Sequence, residues 1–99
     1  MNIYALSSGP GTSGIAVIRI SGKDTSEIIK SITQKPVPKP REATLRKINN
    51  INTFKLIDEG IILWFPGPQS YTGEDMAEIQ VHGGKAVIQA VLNSISSFK

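Results

Sequence analysis

Ser70-Tyr71-Thr72-Gly73-Glu74-Asp75-Met76-Ala77-Glu78-Ile79-Gln80-Val81-His82-Gly83-Gly84 is the stretch from which both the fold and the candidate site are read. From Ala77 it alternates: Ala77, Ile79 and Val81 point one way, and Glu78, Gln80 and His82 the other. Successive side chains on a strand face opposite sides of the sheet, so this reads as a half-buried strand with one dry face and one polar face. The polar face carries a carboxylate, an amide and the chain's single histidine, and Gly83-Gly84 follows at once. Chemistry alone leaves two readings open. One is a recognition surface; the other is a solvated strand face, which would more often carry Lys, Thr and Ser.

Working outward, Lys85 to Phe98 reads as a helix: Val87, Ile88, Val91, Leu92, Ile95 and Phe98 fall at helical spacing and form one apolar stripe. Upstream, Ile57 to Phe65 reads as a buried strand stopped by Pro66-Gly67-Pro68. Arg41 to Ile48 reads as another, with turn chemistry at Asn49-Asn50-Ile51-Asn52. Ile3 to Leu6 and the β-branched run Ile15 to Ile20 are shorter strands around a Gly/Ser/Pro loop. Asp24 opens a helix as its N-cap, Glu27 completes a capping-box pair, and Ile28, Ile29 and Ile32 form the apolar face. Lys35-Pro36-Val37-Pro38-Lys39-Pro40 ends that helix and runs on as an extended, solvated connector.

The order β-β-α-β-β-β-α predicts an α+β domain, a mixed sheet of about five strands with two helices on one face, because each helix has a single stripe to bury. The opposite sheet face is then left for a ligand or a second chain. Ninety-nine residues, 39% of them hydrophobic, suit one domain with one core. The absence of cysteine excludes disulfides and thiolate metal sites and makes a reducing cytosol the default. The longest apolar run, Ile61 to Phe65, is too short to cross a bilayer, and Met1-Asn2-Ile3-Tyr4 lacks the basic segment of a secretory signal. A cytoplasmic protein without a membrane partner is therefore expected. The net charge of +3 is compatible with RNA nearby, but no aromatic-interleaved basic patch accompanies it. The helical pattern is still running at Phe98-Lys99, so a piece of a longer protein is expected.

Several residues carry both a functional and a structural reading. Gly9-Pro10-Gly11-Thr12-Ser13-Gly14 matches a dinucleotide fingerprint, yet strand sequence rather than a helix follows it, so a glycine-rich connection is the better reading. Arg19 interrupts an apolar strand; it is either an exposed arginine packed along its stem or a guanidinium aimed at a carboxylate, and pairing with Glu78 would satisfy both. His82 has neither a second His nor a Cys to share a metal, so hydrogen bonding at the end of its strand is expected. Gly83 and Gly84 either expose backbone N–H groups to an anion at a helix start or simply make a tight turn. Trp64 and Tyr71 either cover a flat heterocycle or fill a core or a dimer seam.

Taken together these residues resemble the N-terminal domain of the MnmE (TrmE) family of tRNA-modification GTPases. The resemblance spans the whole chain. It rests on Gly14-Ile15-Ala16-Val17-Ile18-Arg19-Ile20-Ser21-Gly22, on Gly60-Ile61-Ile62-Leu63-Trp64-Phe65-Pro66-Gly67-Pro68, and on Tyr71-Thr72-Gly73-Glu74-Asp75 with Glu78 and His82-Gly83-Gly84. One departure is Gly11-Thr12-Ser13-Gly14, where family members often carry a Gly-Arg-Gly-rich loop.

The resemblance implies a folate-binding fold like that of the aminomethyltransferases, and a domain over residues 1–99 that binds a tetrahydrofolate of the 5-formyl or 5,10-methylene type and forms a homodimer. Arg19 and Glu78 fall on positions that contact the folate; Trp64, Tyr71, His82, Gly83 and Gly84 are possible pocket lining. It further implies helical and GTPase domains elsewhere in the intact protein, the latter holding GTP with Mg and K. A flavin-dependent partner of the MnmG (GidA) type and tRNA would be its other associates, in carboxymethylaminomethyl formation on the wobble uridine. No phosphate-loop lysine motif is present, so these residues are expected to bind and dimerise rather than to catalyse. The alternatives are a stand-alone folate or aminomethyl-transfer module, a purely structural dimerisation domain, and a nucleic-acid module.

Overall fold

In the computed structural model, residues 3–6 and 14–98 are described. The strands are β1 (Ile3–Leu6), β2 (Ile15–Ser21), β3 (Thr44–Asn49), β4 (Leu56–Phe65) and β5 (Met76–His82); the helices are α1 (Thr25–Thr33) and α2 (Lys85–Ser96). The alternating stretch is thus β5, and it lies at the centre of one sheet of order β1-β2-β5-β4-β3. The α+β class, the five strands and the element order agree with the expectation from sequence.

The sheet is not mixed. Every ladder pair in it is antiparallel. A parallel pair needs a crossover between neighbouring strands. Here α1 instead carries the chain from β2 to the far edge at β3, and β5 returns between β2 and β4, opposed to both. An isolated parallel bridge joins Pro40 to Trp64.

Both helices cover one face. Ala16, Ile18 and Ile20 of β2, Ala77, Ile79 and Val81 of β5, and Ile62 and Trp64 of β4 form the core with Ile28, Ile29 and Ile32 of α1 and Val91 and Ile95 of α2. Burying each isoleucine contributes roughly 2–3 kcal/mol relative to exposure, so this face carries most of the stabilisation. The other face of β4 is only half-buried, which corrects the expectation of a strand buried on both sides.

Local details also depart from the propensities. Asp24 occupies the N-cap of α1 but makes no side-chain cap bond, and Glu27 pairs with Lys30 at 3.2 Å instead of closing a capping box. The start of the helix is tied down by buried Thr25, whose hydroxyl donates to the carbonyls of Gly22 (2.8 Å) and Asp75 (3.2 Å). The proline-rich connector is solvated at Lys35, Pro36, Lys39 and Pro40, as expected, but it is also anchored: Pro38 is buried, and the Arg41 N–H donates to the Trp64 carbonyl at 2.8 Å. β3 accordingly begins at Thr44 rather than Arg41. Among the described residues no helix is long and apolar enough to cross a membrane.

Candidate functional site on the uncovered sheet face

The strand period that sends Ile79 into the core sends Glu78 to the face that carries no helix. There the register sets Arg19 of β2 and Leu63 of β4 on either side of Glu78. The Arg19 Nε donates to Glu78 Oε2 at 2.9 Å. Glu78 is only 9% exposed, whereas the Arg19 side chain is 51% exposed. Flanking strands cover the carboxylate while the guanidinium reaches over it. A covered carboxylate is stable when a charge-assisted bond compensates its lost hydration, and Arg19 supplies one.

Tyr71, from the loop joining β4 to β5, completes this corner. Its ring centroid lies 6.0 Å from Arg19 Cζ, within cation–π range. It lies 6.2 Å from the ring of Phe65, tilted at 57°, an arrangement that aromatic quadrupoles favour. The loop is held by its own polar groups: Gly67 N–H donates to Asp75 Oδ1 at 2.9 Å, and the hydroxyls of Ser21 and Thr72 meet at 2.7 Å. Gly67 admits no side chain, because a Cβ there would lie 2.8 Å from the Gly73 carbonyl oxygen. On this loop opens a cavity of about 410 Å³ lined by Arg41, Phe65, Gln69, Ser70 and Tyr71.

A second polar group stands at the other end of β5. The β4–β5 ladder stops at Ile61 opposite Gln80, and the Asp58 carboxylate accepts the His82 backbone N–H at 2.9 Å in place of a strand carbonyl. The His82 Nδ1 lies 3.0 Å from each Asp58 oxygen. A carboxylate accepts, so Nδ1 carries a proton and donates it to Asp58. Burial pushes the Asp58 carboxyl upward, but hydrogen bonds from the His82 N–H, the His82 ring and the Glu59 N–H outweigh it and hold the group below its usual range.

Residues 2–99 match the family described as the GTP-binding protein TrmE N-terminus. The chain belongs to this family. It is 68% identical over 99 residues to the tRNA modification GTPase MnmE of Pelagibacter ubique, covering 100% of the chain and 22% of that relative. Over 96 residues it is 46% identical to a mitochondrial 5-taurinomethyluridine-tRNA synthase subunit of Homo sapiens, covering 96% of the chain and 20% of the relative. The corresponding protein of Danio rerio is 48% identical over 95 residues, with 96% and 19% covered. The chain therefore spans about a fifth of the length of these curated relatives.

Within this TrmE domain the structure brings Arg19, Glu78 and Tyr71 into one corner. Trp64, expected as possible pocket lining, is 7% exposed and stands in the helix-covered core, because its strand parity is opposite to that of Leu63 and Phe65. Phe65 takes the aromatic place beside Tyr71. His82 is four residues from Glu78 along one strand, roughly 13 Å, so the two do not share a corner. The Gly83 N–H is taken by the Gly14 carbonyl at 3.2 Å, and exposed Gly84 is the N-cap of α2. This pair serves the turn, and Gly83 offers no donor to an anion. Apart from Gly14, the Gly9–Gly14 loop lies outside the described residues. Sequence reasoning missed Asp58, which binds His82 at the end of β5, and Arg41, which lines the cavity beside Tyr71. Asp58 leaves a signal, since with Glu59 it forms a carboxylate pair that precedes the apolar run of β4; Arg41 reads as part of the basic connector.

Proposed function

We propose that this chain is the tetrahydrofolate-binding and homodimerisation module of a GTPase that modifies the wobble uridine of tRNA by forming its carboxymethylaminomethyl group. Support for the tRNA-modification setting comes from the relatives, which are described as tRNA modification GTPases and a tRNA synthase subunit. GTP, Mg and K, the flavin-dependent partner and the tRNA belong to the activity of the intact protein.

Support for the folate comes from one observation: a nearly covered carboxylate on the uncovered sheet face, oriented by an arginine whose guanidinium has an exposed tyrosine ring beside it. A pterin presents a 2-amino group and a ring N–H side by side, and a fixed carboxylate accepts both in a bidentate, charge-assisted contact. Glu78 is the pterin anchor in this reading and Arg19 its orienting partner. Titration of the intact protein with 5-formyltetrahydrofolate tests it. Glu78→Gln should weaken binding by on the order of 2–5 kcal/mol. Unchanged affinity in a variant that retains its unfolding midpoint would reject the anchor.

A second reading has one observation in its favour. Arg19 and Glu78 already satisfy each other, as they would in a purely structural dimerisation domain. A dimer in sedimentation with no folate binding by the wild type would select that reading.

A further inference from the structure

We propose that Arg41 forms an anion subsite that takes the glutamyl carboxylate of the folate, the acidic end remote from the pterin. The assignment rests on the folate reading above and adds a second anchor to it. Arg41 is held at a position that an L-residue adopts at a cost: its φ is 61°. Its backbone N–H donates to the Trp64 carbonyl, and its guanidinium donates to the Gln69 carbonyl. These bonds fix the residue at the mouth of the cavity of about 410 Å³ that it lines with Phe65, Gln69, Ser70 and Tyr71. Arg41 is the one charged residue among that lining. A guanidinium carries several donors in a planar fork, and the bond to Gln69 uses one of them.

Two aromatic rings and one cation around an open cavity suit an aryl group that ends in a carboxylate. The cavity also adjoins the pterin corner, since Tyr71 belongs to both: it lines the cavity and stands over Arg19, the partner of Glu78. Arg41 is bonded to β4 at Trp64, and β4 pairs with β5 through Leu63 opposite Glu78. The two backbones are therefore about 10 Å apart, two strand spacings. An extended ligand with a heterocycle at one end and carboxylates at the other bridges them, its middle ring against Tyr71 and Phe65.

The test compares 5-formyltetrahydrofolate with its bis-amide, in which both glutamyl carboxylates are neutral, by calorimetry on the intact protein. Arg41→Asn removes the guanidinium while tolerating positive φ, and Arg41→Lys keeps the charge without the fork. The wild type should bind the acid about tenfold more tightly than the bis-amide. Arg41→Asn should lose that preference, and Arg41→Lys should retain part of it. Glu78→Gln should weaken both ligands alike. Equal binding of the acid by wild type and by Arg41→Asn, with unfolding midpoints unchanged, overturns the subsite and leaves the pterin anchor standing. No binding of either ligand by the wild type rejects the subsite together with the folate reading.

Discussion

Gly60 and Asp58 explain why the polar face ends where it does. A Cβ at Gly60 would lie 2.1 Å from the Gln80 carbonyl oxygen, so β4 approaches β5 there more closely than any other residue allows. Gly60→Ala must push the strands apart, and an equilibrium urea melt should record a loss of roughly 1–3 kcal/mol. Just beyond, Asp58 takes over the His82 N–H. Its carboxyl lies lower in the folded chain than in the unfolded one, so the folded state binds that proton less readily. The stabilisation is complete above about pH 4 and is lost as pH falls through the lower folded value. Asp58→Asn should therefore destabilise the protein at pH 7, and the gap should close as pH falls through the lowered folded value. A gap that stays constant from pH 7 down into the acid limb would sink this account.

At the scale of elements, the two faces of β5 carry different duties. Ile79 is fully buried beneath the helices, and Ile79→Ala should cost about 2–5 kcal/mol in the same melts. Periodicity made this strand readable in full, because an alternation of period two has one structural solution. The two helices were readable for a similar reason, each having a single apolar stripe. β4 was harder. Its unbroken run from Ile61 to Phe65 reads as buried throughout, yet Ile61, Leu63 and Phe65 lie half-exposed on the face that no helix covers. An apolar run carries no record of whether a helix, a ligand or another chain lies over it. The capping-box pattern at α1 failed for a related reason: Lys30 offered Glu27 a closer partner, and Thr25 supplied a tertiary anchor that propensity does not see.

For the whole molecule, the uncovered face leaves Ile15 56% and Leu45 57% exposed beside half-buried Val17, Ile61 and Leu63. An apolar surface of this kind marks an interaction site more often than a solvated wall, and the proposed homodimer gives it an occupant. Leu45→Glu should reduce self-association in sedimentation velocity while leaving monomer stability within about 0.5 kcal/mol of wild type, as for other exposed positions. Unaltered association would place the dimer contact elsewhere.

The order of elements, the faces of β5 and the carboxylate at position 78 were determined by the chain itself, since hydrophobic period and local turn chemistry act over neighbouring residues. Only the tertiary structure decided that the sheet is antiparallel throughout, that Trp64 belongs to the core, and that Arg41 meets the aromatic pair. Those outcomes depend on which strands become neighbours and on one-residue parity across the sheet, relations between distant segments that no local pattern encodes.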